Sequence, residues 1–136
     1  MPEFVSPIVN ALNAPFWSAA EEGQLLLPFC VTTEKYFWPP SPVSPFITSG
    51  ETSWRSAQPL GVLRAKVIFR RVFQKAFEGL VPYAIGLVEL DAGPRLQAHI
   101  PRPDSPDAAN SGDRVEIRFH RLVADGPKVP IISKSN

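Results

Sequence analysis

The sequence has few of the features of secreted or membrane-spanning proteins. It has one cysteine in 136 residues, which excludes an internal disulfide. The opening Met-Pro-Glu lacks the basic segment and the long apolar run of a signal peptide, and no apolar stretch approaches the length of a bilayer span. These absences predict a cytoplasmic protein that does not associate with membranes.

The chain also lacks a marked excess of either charge. Fourteen Lys and Arg residues stand against 13 Asp and Glu, so the formal net charge is +1 at pH 7. Nucleic-acid binding depends on neutralising phosphates, and this balance does not favour it. Glycine-rich phosphate loops, Walker-type sequences and metalloprotease helices are also absent. The motifs of common nucleotide and metal enzymes are therefore not represented.

Proline, by contrast, is abundant. Sixteen prolines remove backbone donors and fix φ, which is incompatible with a mostly helical protein. Helical spacing is confined to Phe16, Trp17 and Ala20, and Gly23 is suited to the C-terminal end of that helix. We therefore predict an all-β protein with one short N-terminal helix that ends near Glu22.

The clearest strand signal surrounds the turn sequence Asp91-Ala92-Gly93-Pro94. Gly93 can adopt the positive φ of a tight turn, and Asp91 is expected to hydrogen-bond its own backbone. Residues 83–90 are apolar at nearly every position, whereas 95–100 alternate between apolar and polar side chains. A strand covered on both faces next to a half-exposed strand predicts a hairpin within a small closed barrel.

Three further strands complete the predicted barrel, at 61–73, 115–120 and 129–133. Five strands with no helical period between them predict an OB-fold domain over residues 59–136. Before it, residues 24–58 have the pattern of two small hairpins with almost no core, and residues 1–23 that of an arm and the helix.

In the first barrel strand, apolar residues at odd positions are expected to face the core and basic residues to face solvent. The apolar set is Leu63, Ala65, Val67 and Phe69; the basic set, extended into the following loop, is Arg64, Lys66, Arg70, Arg71 and Lys75. The basic set is suited to the phosphates of coenzyme A or to an acidic partner, and a merely solvated strand face is an equal alternative. Single-stranded nucleic-acid binding is a weaker hypothesis, because Phe69 and Phe73 are expected on the apolar face.

His99 and His120 are the candidate catalytic residues. Both occupy polar positions of predicted strands, so a stand-alone enzyme that uses one of them with a carboxylate on a CoA thioester is an alternative function. Neither histidine has a companion serine or cysteine in a recognisable motif. Two half-exposed surface histidines are therefore the favoured interpretation, with no catalytic residue in this chain.

The order of helix, cysteine-bearing hairpins and barrel resembles the acyl-CoA-associated zinc-ribbon/OB-fold proteins of bacteria and archaea. In that family a helix similar to APFWSAAEEGQL precedes C-x-x-C, an aromatic-proline stretch similar to YFWPPSPV and a second C-x-x-C. The barrel then carries P-Y-x-x-x-L-V-E-L-D-x-G-P-R, and residues 82–95 here are PYAIGLVELDAGPR. The resemblance covers nearly the whole chain.

This chain departs from the family at the zinc ligands. The positions of the four thiolates carry Cys30, Thr33, Ser44 and Ile47. One thiol cannot supply a tetrahedral structural zinc site, so we expect a degenerate, metal-free, rubredoxin-like ribbon in which Cys30 is an ordinary buried thiol. The expected replacement for zinc is proline stiffness and apolar packing. The packing residues are Leu26, Phe29, Phe37, Trp38, Phe46, Ile47 and Trp54.

The resemblance also implies a function. It implies a non-catalytic accessory subunit that binds a thiolase-fold aldolase, thiolase or acyltransferase acting on acyl-CoA, including steroid side-chain thioesters. Such a subunit binds no cofactor alone but helps to hold the CoA thioester in the complex. The candidate anchors for the partner are Phe16, Trp17 and Trp38, although packing within the chain's own core is the competing interpretation of the helix aromatics.

Overall fold

A computed structural model describes residues 10–70, 82–122 and 124–135. The elements, in chain order, are α1 (Ala14–Glu21), β1 (Leu26–Cys30), β2 (Lys35–Tyr36), β3 (Thr52–Ser56), β4 (Leu60–Phe69), β5 (Tyr83–Leu90), β6 (Arg95–Ile100), β7 (Arg114–Arg121) and β8 (Lys128–Lys134). The last five strands form a closed barrel in the order β4-β5-β6-β8-β7. The predicted all-β fold with a five-stranded OB-like barrel and one short helix is confirmed. In the described ranges, no helix is long and apolar enough to cross a membrane.

Helix α1 begins next to a proline and ends in a glycine-dependent cap. Pro15 lies in its first turn, where the missing N–H costs nothing. Gly23 has a φ of +77° and donates to the carbonyl of Ala20, while Gln24 donates to the carbonyl of Ala19. These two bonds form a Schellman cap, and they explain why the helix ends close to the predicted residue.

The segment before the barrel forms one small sheet and not the two separate hairpins predicted. Its strand order is β2-β1-β3, with both neighbours antiparallel to β1. The Tyr36 hydroxyl donates to the carbonyl of Ser56, and this bond spans the width of the sheet. The hairpin prediction was wrong because it did not include the pairing of β1 with β3, which are separated by a long proline-rich connection.

Strand β4 contains a β-bulge that overturns its predicted alternation. Leu63 pairs with Val88 and Ala65 pairs with Leu87, so Arg64 is an extra residue in the ladder. Leu63 is fully buried, as expected, but beyond the bulge the faces exchange and Val67 is 60% exposed. The predicted inward positions after Leu63 were therefore wrong.

The helix, the small sheet and the barrel share one apolar core. Phe16 of α1 and Leu27 of β1 belong to the same buried cluster as Leu63, Val88 and Val115 of the barrel. The Phe16 ring lies 6.0 Å from that of Phe119 in β7. Burial of this continuous cluster stabilises the helix, the small sheet and the barrel together, and it holds α1 in a fixed position against the barrel.

Helix α1 is also attached to the barrel by polar contacts of Glu21. Its Oε1 accepts two hydrogen bonds from Arg121, at 3.0 and 2.8 Å, and its Oε2 accepts one from the backbone N–H of Lys128 at 2.9 Å. The Lys128 ammonium donates to the Glu21 carbonyl. These bonds fix the orientation of the helix on the β7–β8 hairpin.

Candidate functional site

Three aromatic residues predicted as anchors meet at one place. Phe16 is buried, with its ring 4.8 Å from that of Trp17 and 4.7 Å from that of Trp38. Trp17 and Trp38 are each only partly buried. Phe16 therefore acts as a core residue, whereas the two tryptophans rest on it and present apolar surface.

Two grooves adjoin Trp38, and we call them together the Trp38 surface. The first, about 380 Å³, lies between α1 and the outer face of the β5–β6 hairpin. The second, about 500 Å³, lies between the small sheet and the turn of that hairpin. The first groove is lined by Phe16, Trp17, Trp38, Pro39, Leu87, Arg95, Leu96, Gln97 and Pro130. The second is lined by residues that include Lys35, Tyr36, Phe37, Trp38, Phe46, Gly93 and Pro94.

An apolar rim extends from the second groove along the connection between β2 and β3. Val43 is 64% exposed, Phe46 45% and Ile47 44%. The Lys35 ammonium lies 5.4 Å from the centroid of the Phe46 ring. Clustered exposed apolar side chains of this kind are typical of interaction surfaces. Arg95 supplies a cation at the first groove.

The hairpin that separates the two grooves is held by its turn and by a cross-barrel ion pair. Gly93 has a φ of +120°, and its N–H donates to the carbonyl of Leu90, so the predicted turn is confirmed. The Asp91 carboxylate does not bond its own backbone, contrary to the prediction. It accepts two hydrogen bonds of 2.7 Å from Arg114 of β7. Hydrogen bonding by that guanidinium lowers the pKa of Asp91 below its ordinary value.

The four positions that the resemblance assigns to zinc ligands do not fit a zinc ion. Cys30 is fully buried, and the Ser44 hydroxyl donates to its sulfur at 3.1 Å. Thr33 Oγ1 is buried without a hydrogen-bond partner among the described residues, and Ile47 is exposed and offers no ligand atom. One sulfur and two hydroxyls do not make the thiolate or imidazole set that structural zinc requires. The described residues contain no group of three or more His, Cys, Asp or Glu side chains suited to a metal.

The Cys30 thiol is nevertheless not quite ordinary. Burial raises its pKa, but hydrogen bonding from the Ser44 hydroxyl and from the backbone at Thr33 and Thr32 lowers the pKa below the usual value. No basic side chain takes part. The sulfur therefore acts as the acceptor at the centre of a small hydrogen-bonded cluster that ties the β1–β2 turn to the long connection.

The predicted basic face of β4 does not present a shared positive surface. Arg64 pairs with Glu89 at 3.3 Å, and Arg70 makes two bonds to Asp104 at 2.8 and 2.9 Å. Lys66 donates to the Ala109 carbonyl and to Asn110 Oδ1. Each of these side chains thus contacts a different neighbour. Arg71 and Lys75 lie outside the described residues.

The two histidines do not form a catalytic pair. His99 is only 6% exposed, so the prediction of a half-exposed side chain was wrong, and burial lowers its pKa to about 4. Its ring stacks on Tyr83 at 5.0 Å. His120 is exposed on β7, and β8 lies between β6 and β7 in the barrel. A neutral buried imidazole and a separate surface imidazole do not support joint acid-base chemistry.

The sequence reasoning missed Arg95, Gln97 and Leu87 as members of the first groove. Their signal was present in the strand alternation, because Arg95 and Gln97 are the outward positions of β6 and Leu87 is an outward position of β5. Without the position of α1, the alternation gave no reason to prefer this part of the barrel surface.

Comparison with known proteins agrees with this geometry. Residues 54–120 match the family described as ChsH2, C-terminal OB-fold domain. A solved structure described as Ltp2-ChsH2(DUF35) aldolase has a TM-score of 0.79 and 25% sequence identity, over 94% of this chain and 98% of that chain.

A probable enoyl-CoA hydratase alpha subunit of Thermomonospora curvata is 29% identical over 94 residues, or 69% of this chain. The chain spans only 29% of the length of that relative. The matched family region contains the β5–β6 hairpin whose sequence first indicated the resemblance. With its closed barrel and that hairpin, this chain is similar to acyl-CoA-associated OB-fold proteins such as the ChsH2 C-terminal domain.

Proposed function

We propose that this chain is a non-catalytic accessory subunit that binds and stabilises a thiolase-fold partner acting on acyl-CoA. The partner is an aldolase, a thiolase or an acyltransferase, and steroid side-chain CoA thioesters are a candidate substrate class. Support comes from the similar chain of the Ltp2-ChsH2(DUF35) aldolase, which this chain matches along almost its full length. The enoyl-CoA hydratase alpha subunit supports the association with acyl-CoA chemistry.

The observation that carries the proposal is the Trp38 surface. Its two grooves place aromatic and proline side chains beside the family hairpin, and its rim leaves Val43, Phe46 and Ile47 exposed. Protein interfaces draw most of their binding energy from aromatic anchors seated in such pockets. A partner that covers this surface removes apolar area from water.

The reacting groups belong to the partner under this proposal. The described residues offer a neutral buried His99, an exposed His120 and a buried Cys30 without a nearby base. This chain binds no cofactor alone, and its contribution to a CoA thioester is to hold it jointly with the partner. The cations of β4 are occupied by internal contacts, so any contact with CoA requires them to exchange their present bonds.

The proposal is tested by co-expressing the chain with a thiolase-like protein encoded beside it. The two proteins should co-elute in gel filtration as a stable hetero-oligomer. Replacing Phe46 with Glu places a charge on the Trp38 surface and should weaken association by at least about tenfold, because a buried unpaired charge costs several kcal/mol at an interface.

Val67→Glu is the matched control, since Val67 is 60% exposed on β4 and lines neither groove. The control should associate normally. Failure of the unmodified chain to associate with the thiolase-like protein would refute the accessory role. Equal losses in the two variants would show that the Trp38 surface is not where the partner binds.

A further inference from the structure

The cationic side chains of the barrel differ in whether they pair closely with a carboxylate. Most described arginines there pair with a carboxylate, namely Arg64, Arg70, Arg95, Arg114, Arg118 and Arg121. Arg102 is the exception in the described ranges, because it is exposed and makes neither an ion pair nor a side-chain hydrogen bond. Lys134 is nearly as free, since its contact with Asp113 is 4.0 Å long.

Arg102 and Lys134 line the same cavity. It has a volume of about 410 Å³ and lies between the β6–β7 connection and the C-terminal end of β8. Its apolar wall includes Ile100, Ala109 and Ile132, which are buried. The cavity thus combines an apolar wall, suited to the body of a small molecule, with two weakly engaged cations.

The connection that forms one wall of the cavity is fixed from outside. Arg70, which directly follows β4, holds Asp104 through two hydrogen bonds, and Lys66 of β4 holds the Ala109 carbonyl and the Asn110 side chain. The backbone N–H of Asn110 donates to Asp113. Lys66 and Arg70 therefore fix one wall of this cavity through their hydrogen bonds. A wall that is already ordered lowers the entropic cost of ligand binding.

We propose that this cavity binds a phosphomonoester carried on a small apolar or aromatic body, as in a nucleoside monophosphate. The guanidinium of Arg102 and the ammonium of Lys134 bind the phosphate oxygens, with the Ser105 and Ser133 hydroxyls as further donors. The apolar wall takes the uncharged body of the ligand. A volume of about 410 Å³ is within the range of small-molecule sites.

Asp107 is the carboxylate that lines the cavity, and it opposes an anion. Its backbone N–H donates a hydrogen bond to Ser105 Oγ, and a substitution of the side chain leaves that contact in place. Two cations against one carboxylate leave the cavity positive. Removing the Asp107 charge should therefore strengthen binding of the phosphate. Removing either cation should weaken it.

The test is isothermal titration calorimetry of the 136-residue chain with adenosine monophosphate at low ionic strength. Adenosine and inorganic phosphate, titrated separately, distinguish the apolar body from the anion. Arg102→Ala and Lys134→Ala should each weaken adenosine monophosphate binding roughly tenfold or more, the usual effect of losing a charge-assisted contact. Asp107→Asn should tighten it, and added salt should weaken it.

Arg118→Ala is the matched control, because it also removes an exposed arginine of the barrel but lies outside the cavity. It should bind as the unmodified chain does. Absence of binding to the unmodified chain at millimolar ligand would overturn the proposal, as would equal affinity for adenosine and its monophosphate or equal losses in Arg118→Ala and Arg102→Ala. The cavity shares no lining residue with the Trp38 surface, so either proposal can fail without the other.

Discussion

The barrel and the small sheet before it differ in how they bury apolar side chains and pair charged ones. The barrel closes on itself, buries alternate residues such as Val115 and Ile117, and pairs most of its described arginines with carboxylates. The small sheet has three strands and leaves Val43, Phe46 and Ile47 of its long connection exposed. A closed barrel needs no partner for its edges, whereas the connection keeps apolar surface in water.

This difference indicates that the small sheet depends on its neighbours. Leu27 and Phe16 join the barrel cluster, and Trp38 packs on Phe16. A segment as short as residues 24–58, without a metal or a disulfide, rarely buries enough apolar area to be stable alone. Packing on α1 and the barrel offsets part of that deficit, and under our proposal a partner that covers the Trp38 surface offsets more.

The largest expected effect comes from giving the small sheet its own source of stability. If the sheet is a degenerate ribbon, the triple variant Thr33→Cys, Ser44→Cys, Ile47→Cys should complete a four-thiolate site with Cys30. Ser44 Oγ and Cys30 Sγ are 3.1 Å apart, which is near the ~3.8 Å between sulfurs at Zn–S distances of about 2.3 Å. Zinc binding to structural sites contributes about 10 kcal/mol or more, so melting temperature should rise sharply with zinc.

Metal analysis of the purified proteins provides the measurement. The triple variant should carry stoichiometric zinc and the unmodified chain only traces, and the triple variant with Cys30→Ala added should lose affinity. Stoichiometric zinc in the unmodified chain would contradict the assignment of Cys30, Thr33, Ser44 and Ile47 to the ligand positions. A triple variant that binds no zinc would show that the small sheet differs from a ribbon in more than its ligands.

A second variant tests whether helix, sheet and barrel share one core. Phe16 is 1% exposed and contacts aromatic rings from α1, the β2–β3 connection and β7. Phe16→Ala should lower the free energy of unfolding by about 3–5 kcal/mol, because it removes a large buried side chain and leaves a cavity. Denaturant unfolding monitored by tryptophan fluorescence and by circular dichroism should give a single shifted transition.

Leu12→Ala is the control, since Leu12 precedes the helix and is 41% exposed. It should change stability by no more than about 0.5 kcal/mol. Two separate transitions in Phe16→Ala, or a loss no larger than that of the control, would mean that the barrel is stable without the helix.

The sequence predicted most of the fold because its strongest signals are local. The turn at Gly93, the alternation of 115–120 and the glycine after α1 depend on neighbouring residues only, and all were confirmed. The bulge at Arg64 was missed since the apolar alternation continues through it without interruption. A β-bulge changes which face a residue occupies without requiring a special residue type.

The candidate site was less predictable because it depends on contacts distant in sequence. Phe16 and Trp38 were correctly selected as aromatic residues of interest, but their meeting, and the grooves beside the hairpin, require the tertiary position of α1. The pairing of Asp91 with Arg114 likewise joins residues far apart in the chain. Charge pairs of this kind leave no trace in the local pattern.

The smallest of the three effects on stability concerns His99, a buried polar residue of the barrel. His99 is buried on the β6 strand, stacked on Tyr83, which itself stacks on Phe69 at 5.1 Å. Within the described ranges, its Nε2 atom has no hydrogen-bond partner. Burial without such a bond disfavours the imidazolium, and this lowers the pKa of His99 to about 4.

This pKa makes the barrel sensitive to mild acid. In the unfolded chain the His99 pKa is about 6.5, so between pH 6.5 and 4 the unfolded state binds a proton that the native state excludes, and stability falls as pH falls. Between pH 6.5 and 5 the loss is on the order of 2 kcal/mol, because each pKa unit corresponds to about 1.4 kcal/mol. His99→Phe keeps the stacking and removes the titration, so its stability should stay flat from pH 6.5 to 5.

Denaturant unfolding at a series of pH values measures the effect. The same substitution at exposed His120 should leave the slope of the unmodified chain unchanged. The carboxylates of Asp91 and Asp104, whose pKa values are lowered by hydrogen bonds from Arg114 and Arg70, keep their contributions until more acidic pH. The window from pH 6.5 to 5 therefore reports His99, and an equal slope in His99→Phe would show that the barrel tolerates a charged imidazole at this position.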